Sequence, residues 1–165
     1  MKRYNPRYYL AYGSNLNVGQ MSVRCPNAKI IGTGEISDYR LMFKGSKTGS
    51  FLTIEPCKGK SVPVAVWMVT EYDEERLDRY EGFPIFYYKN EMIIKTRLSW
   101  FHSEAYENIK AFVYIMHEDR PHGIPSNVYV KTCLEGYKNF NFDPRILKEA
   151  YLYSKNKVEE VKENA

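Results

Sequence analysis

The chain has 165 residues, enough for one domain that buries roughly 70% of its unfolded surface, so a single core is expected. A hydrophobic fraction of 44% with 27% charged residues fits a globular protein, and no run approaches the ~20 apolar residues of a membrane span. The formal net charge of +4 arises from lysines and arginines interleaved with carboxylates, without the basic stripe that marks a nucleic-acid partner.

Fifteen tyrosines supply large apolar faces with polar tips, suited to a pocket or to a core whose hydroxyls find partners. Cys25, Cys57 and Cys133 cannot all pair with one another, and no charged-then-apolar leader opens the sequence, so a reducing cytoplasm is the expected location.

In chain order, Arg7 to Tyr12 is a β-prone run that ends in a turn at Gly13-Ser14-Asn15. Leu16, Met21 and Val23 predict a short irregular helix from Leu16 to Cys25, stopped before Pro26. Four strands follow, over Lys29–Ile36, Tyr39–Lys44, Ser50–Glu55 and Val62–Val69. The last is apolar on both faces and reads as central. Thr70 with Asp73 and Glu74 predicts an N-cap and acidic first turn for a helix over Glu71–Glu81, ended by Gly82 and Pro84. Strands are expected over Phe86–Leu98 and Ile109–His117, joined by a polar connection around Ser103 to Asn108. Pro125-Ser126 opens a helix carrying Tyr129, Cys133, Tyr137 and Phe140. Asp143-Pro144 opens a C-terminal helix over about residues 144–163, whose docking stripe is Leu147, Tyr151, Ser154, Val158 and Val161. About seven strands and three or four helices, mostly in strand-to-strand order, favour an α+β domain around a curled, barrel-like sheet spanning residues 1–165.

Three places carry candidate chemistry. A strand turning through Gly13 into Ser14-Asn15 points several backbone N–H groups one way, a concavity for a carboxylate or developing oxyanion. Read as an ordinary strand-to-helix turn, the same residues need no ligand. Glu81 lies at a helix C-terminus, where the macrodipole disfavours a carboxylate by roughly 0.3–1 kcal/mol. That repulsion, with any burial, raises its pKa toward what a general base needs. Ser126 as N-cap puts Tyr129 on the first turn of its helix, able to aim a hydroxyl into a cleft.

These three signals, in this order, resemble the γ-glutamylcyclotransferase superfamily. The residues concerned are YLAYGSNL at 9–16, LDRYEGFP at 77–84 followed by Tyr87 and Tyr88, and PSNVY at 125–129. GTGEISDYRLMF, SFLTIEP and VPVAVWMV fall between them in the family's order, and the likeness runs from about Tyr8 to Gly136. The resemblance implies a small mixed β-barrel with flanking helices and a pocket at the barrel mouth. It implies that Tyr9, Leu10, Ala11, Tyr12, Gly13 and Ser14 line the substrate site, with backbone donors from Gly13 through Asn15 to Leu16. Glu81 would be the acid/base, Tyr129 a contact to the glutamyl group, and either Tyr87 or Tyr88 the tyrosine after the glutamate.

The implied reaction is ring closure of a small γ-glutamyl compound to 5-oxoproline with release of an amine. It uses no cofactor or metal, and neither nucleic acid nor membrane is an expected partner; the oligomeric state stays open. The alternative is a binding module that keeps the pocket without turnover. Cysteine–histidine catalysis lacks context at His102, His117 and His122, and His117, Asp119 and His122 lack a defined ligand spacing for a metal.

Overall fold

The computed structural model describes residues 5–99 and 105–165. Its elements are β1 (Arg7–Ala11), a 3-10 turn (Ser14–Leu16), α1 (Val18–Arg24), β2 (Lys29–Ser46), β3 (Gly49–Val69), α2 (Glu71–Glu81), β4 (Tyr87–Leu98), β5 (Tyr106–Met116), α3 (Asn127–Asn139) and α4 (Arg145–Glu163). The strands close into a barrel in the order β1-β3-β2-β4-β5. Every pairing is antiparallel except the closing one, where β1 runs parallel to β5 with Tyr9 opposite Phe112. The expected α+β, barrel-like architecture is therefore present. His102 and the first residues of the Ser103 to Asn108 connection lie outside the described residues.

Four expected strands are two. Lys29–Ile36 and Tyr39–Lys44 are both parts of β2, and Ser50–Glu55 and Val62–Val69 are the two ends of β3. The polar break in the apolar pattern marks a bulge, not a loop. The register shifts between Ser37 and Tyr39, Asp38 adopts φ 60, and its Oδ1 accepts from the N–H of Gly59 at 2.9 Å. A bulge bends the ribbon while the ladder continues, and the sheet can then curl closed. Val62, Val64, Ala65 and Val66 are fully buried on β3, which lies between β1 and β2, as its two apolar faces predict.

The helix ends follow local chemistry. Thr70 Oγ1 accepts from the Asp73 N–H at 3.0 Å while Asp73 Oδ2 accepts from the Thr70 N–H at 3.1 Å, a reciprocal cap that starts α2. Gly82 ends it at φ 63, a left-handed conformation that costs glycine little. Helix α1 starts later than Leu16, because Asn17 is its cap and accepts from the Gln20 N–H at 3.1 Å. Ser126 caps α3 by accepting from the Tyr129 N–H at 3.2 Å.

Helix α4 docks on β2 through buried Leu147, Ala150 and Ser154. The Ser154 Oγ accepts from the Phe43 N–H at 2.8 Å. Val161 is 71% exposed, so the expected stripe runs past the surface it docks on.

Candidate functional site

At one end of the barrel the turn after β1, the end of α2, the starts of β3 and β4, and the first turn of α3 meet around a cavity of about 190 Å³. That is below the roughly 300–1,000 Å³ of drug-sized sites and is room for an amino-acid-sized group. Gly13, Ser14, Asn15, Glu81 and Tyr129 all line it, although Gly13 and Glu81 are far apart in sequence. The Leu16 N–H donates to the Gly13 carbonyl at 3.0 Å and closes the 3-10 turn. The first N–H groups of such a turn have no partner within it, which leaves those of Ser14 and Asn15 at its open end.

The far wall is set by phenols. Tyr129 Oη accepts from the Leu52 N–H at 3.1 Å, and the Tyr87 hydroxyl donates to the Leu52 carbonyl at 2.8 Å. The backbone of one β3 residue, Leu52, is thus held on both sides, by α3 through its N–H and by β4 through its carbonyl. The Tyr12 hydroxyl donates to the Tyr114 carbonyl at 2.6 Å, and the Tyr114 hydroxyl donates to Asp78 Oδ1 at 2.5 Å. Burial pushes the pKa of Tyr9, Tyr12, Tyr87 and Tyr129 well above the ordinary phenol value, so these hydroxyls keep their protons at neutral pH.

Glu81 is the last residue of α2 and its carboxyl faces the cavity. Burial pushes this carboxyl up to about 7, against the pull of the Arg24 guanidinium. Asn15 Nδ2 donates to the Tyr9 hydroxyl at 2.9 Å and to Glu81 Oε1 at 3.3 Å. A carboxyl that titrates near neutrality, beside backbone donors and inside a tyrosine-walled hollow, can take and return a proton next to a bound carbonyl.

Not every residue expected at the site reaches the cavity. Tyr9, Tyr12, Gly13, Ser14, Asn15, Glu81, Tyr87 and Tyr129 do. Leu10 and Ala11 are fully buried in the core, and Leu16 is sealed under α3, where a Cβ on Gly136 would come within 2.6 Å of its own Cβ. Its N–H is also spent inside the turn. Tyr88 lies on the opposite face of β4 from Tyr87, because side chains alternate along a strand. Its hydroxyl donates to Glu118 and its ring packs 5.1 Å from that of His117.

The motifs gave no site role to Phe51 and Leu52, which lie in the quoted SFLTIEP run, or to Phe86 and Tyr114, and the closing of the barrel brings all four to the wall. Tyr80, inside the quoted LDRYEGFP run, also lines it, with its hydroxyl 3.2 Å from Ser14 Oγ. His117 Nε2 meets the Pro84 carbonyl at 2.7 Å and His122 Nδ1 meets Ser154 Oγ at 3.2 Å, so the two imidazoles have separate partners. Among the described residues no three His, Cys, Asp or Glu side chains gather as metal ligands, and no helix is long and apolar enough to cross a membrane.

Comparison with known proteins places the chain in a family. No curated protein matches the sequence significantly. Among solved structures, a γ-glutamyl cyclotransferase superposes with TM-score 0.75 at 24% identity, over 88% of this chain and 86% of its own. An uncharacterised human protein superposes with TM-score 0.74 at 25% identity, over the same 88% and 86%. A yeast γ-glutamyl cyclotransferase specific to glutathione shares the fold at 13% identity and TM-score 0.54, over 93% of this chain and 99% of its own. The family model described as γ-glutamyl cyclotransferase, AIG2-like, matches residues 9–131, a span that holds the turn, Glu81 and Tyr129. With most of its length inside that match, the chain belongs to the AIG2-like γ-glutamyl cyclotransferase family.

Proposed function

We propose that this protein is a γ-glutamyl cyclotransferase that converts a small γ-glutamyl amide to 5-oxoproline and a free amine, with Glu81 as its acid/base. The observation that carries the reading is the placement of a near-neutral Glu81 carboxyl and the open end of the Ser14-Asn15 turn on one small cavity. Family membership supports it independently.

The substrate brings its own nucleophile. Folding the glutamyl side chain brings the α-nitrogen to the γ-carbonyl carbon, and such intramolecular alignment contributes on the order of 7–11 kcal/mol to the barrier reduction. An α-ammonium titrates near about 8, so a carboxylate at about 7 is a matched acceptor for its proton. The nitrogen then forms the ring bond to carbon, and the carbonyl oxygen takes the negative charge. The Ser14 and Asn15 N–H groups are donors for that oxyanion or for the substrate's α-carboxylate. When the tetrahedral centre collapses, the amide C–N bond breaks and Glu81 returns its proton to the departing nitrogen. The second proton of the attacking nitrogen passes to the same amine, which leaves as an ammonium while the ring nitrogen keeps one hydrogen. The carboxylate is regenerated, and no cofactor enters the cycle.

The test is incubation with a panel of γ-glutamyl amides, reading 5-oxoproline and the released amine, for the natural sequence and for Glu81→Gln. Turnover by the natural protein and its loss in the folded, ligand-binding variant is expected. A Glu81→Gln protein that still forms 5-oxoproline at a comparable rate overturns the assignment. A natural protein that binds these amides without turning any of them over identifies a binding module instead.

A further inference from the structure

Behind the cavity wall, Arg24 on α1 is tied to the site without lining it. Its Nη1 donates to Asn15 Oδ1, its Nη2 donates to Gln20 Oε1 at 2.8 Å, and its guanidinium carbon stands 3.5 Å from the centroid of the Tyr80 ring. The guanidinium offers only donors, so its contact fixes the oxygen side of the Asn15 amide. The Nδ2 side then faces inward, where its two hydrogens go to the Tyr9 hydroxyl and to Glu81 Oε1.

We infer that Arg24 is a positioning residue, which acts through the Asn15 side chain to hold the Glu81 carboxyl in place and to set the pH at which it takes up a proton. The inference rests on the reading of Glu81 as acid/base for its kinetic consequences, and on geometry alone for the rest. An amide without the arginine is free to rotate, and a rotated amide presents its oxygen to the carboxylate. The guanidinium is also the charge that counts. Besides Tyr80 on its own helix, the titratable groups that line the cavity with Glu81 are the phenols of Tyr9 and Tyr12 from the β1 side, Tyr87 from β4, Tyr114 from β5 and Tyr129 from α3. Burial raises all five, and all stay neutral in the range where the carboxyl titrates. Arg24 pulls the carboxyl down, in opposition to burial.

Two variants separate the charge from the planar fork. Arg24→Gln removes the charge, so the Glu81 carboxyl should titrate about one pH unit higher, the lower end of what an opposite charge does to a near carboxylate. Arg24→Lys keeps the charge but cannot present the fork that spans Asn15 and Gln20. Its titration should stay close to that of the natural protein while kcat/KM falls about tenfold through loosened alignment.

The titration is read by carboxyl carbon NMR of glutamate-labelled protein, with Glu81→Gln identifying the resonance, and kcat/KM is followed against pH in parallel. An Arg24→Gln carboxyl that titrates where the natural one does, with activity lowered equally at every pH, overturns the proposal in favour of a structural role. So does an Arg24→Lys enzyme with unaltered kcat/KM, which decides the matter even where Arg24→Gln fails to fold. NMR titration needs no turnover. A natural protein inert toward every γ-glutamyl amide, with a carboxyl that still moves on Arg24→Gln, defeats the proposed reaction and leaves the relay standing.

Discussion

Raising the pH from 5 to 7 should increase kcat/KM steeply, because the base has to be ionised to accept a proton. With Glu81 pushed up to about 7, its anion is about 1% populated at pH 5 and about half populated at pH 7, a rise of about fiftyfold. A glutamate at its ordinary 4.5 is already mostly ionised at pH 5, and the same interval would then bring less than about a twofold change. The substrate stays an ammonium across the interval, the form from which the proposed base takes its proton, so in this mechanism the limb follows Glu81. The assay is release of 5-oxoproline at limiting substrate across this range, at constant ionic strength, with circular dichroism at each pH to show that the fold persists. A profile that varies less than twofold with the fold intact refutes burial as the cause of a near-neutral Glu81.

The same burial has a thermodynamic sign. A carboxyl raised in the folded state binds more protons folded than unfolded between pH 4.5 and about 7, so its contribution to stability falls as pH rises through that window. Glu81→Gln should therefore be more stable than the natural protein at pH 8, by about 1–3 kcal/mol once partial exposure and Arg24 are allowed for, and no more stable at pH 4.5. Thermal melts at the two pH values check it, and equal gains at both contradict it. Tyr129→Phe strips the acceptor from the Leu52 N–H and should cost about 1–3 kcal/mol in denaturant unfolding, along with a raised KM. Gly136→Ala puts a Cβ 2.6 Å from that of Leu16 and 2.7 Å from the Asn17 nitrogen. It should force α3 away from the turn, lower stability by about 1–3 kcal/mol and reduce substrate affinity, measured by melting and by titration calorimetry.

Local chemistry wrote several elements plainly into the sequence. The Thr70 to Asp73 cap, the left-handed Gly82 and the Ser126 cap each depend on residues within a few positions of one another. They placed α2 and α3 and so located Glu81 and Tyr129. The all-apolar Val62–Val69 run announced a strand buried on both faces, and β3 is that strand. Other features needed the whole fold. Polar residues at a bulge and in a loop look alike along the chain, so β2 and β3 read as four strands until the Asp38 to Gly59 contact showed a bend. Tyr87 and Tyr88 are equivalent in a motif, and only the pleat of β4 against β5 sends one inward and the other to Glu118.

The sequence by itself determined the caps, the apolar runs and the ordered motifs, because those are short-range matters of hydrogen bonding and hydrophobic period. Tertiary structure alone decided that Phe51, Leu52 and Tyr114 would wall the cavity, that Leu10, Ala11 and Leu16 would be core, and that Arg24 would stand behind Asn15. The physical reason is barrel closure. Pairing β1 with β5 brings distant strand ends to one rim, and the resulting burial moves Glu81 toward neutrality, which no local stretch of the chain encodes.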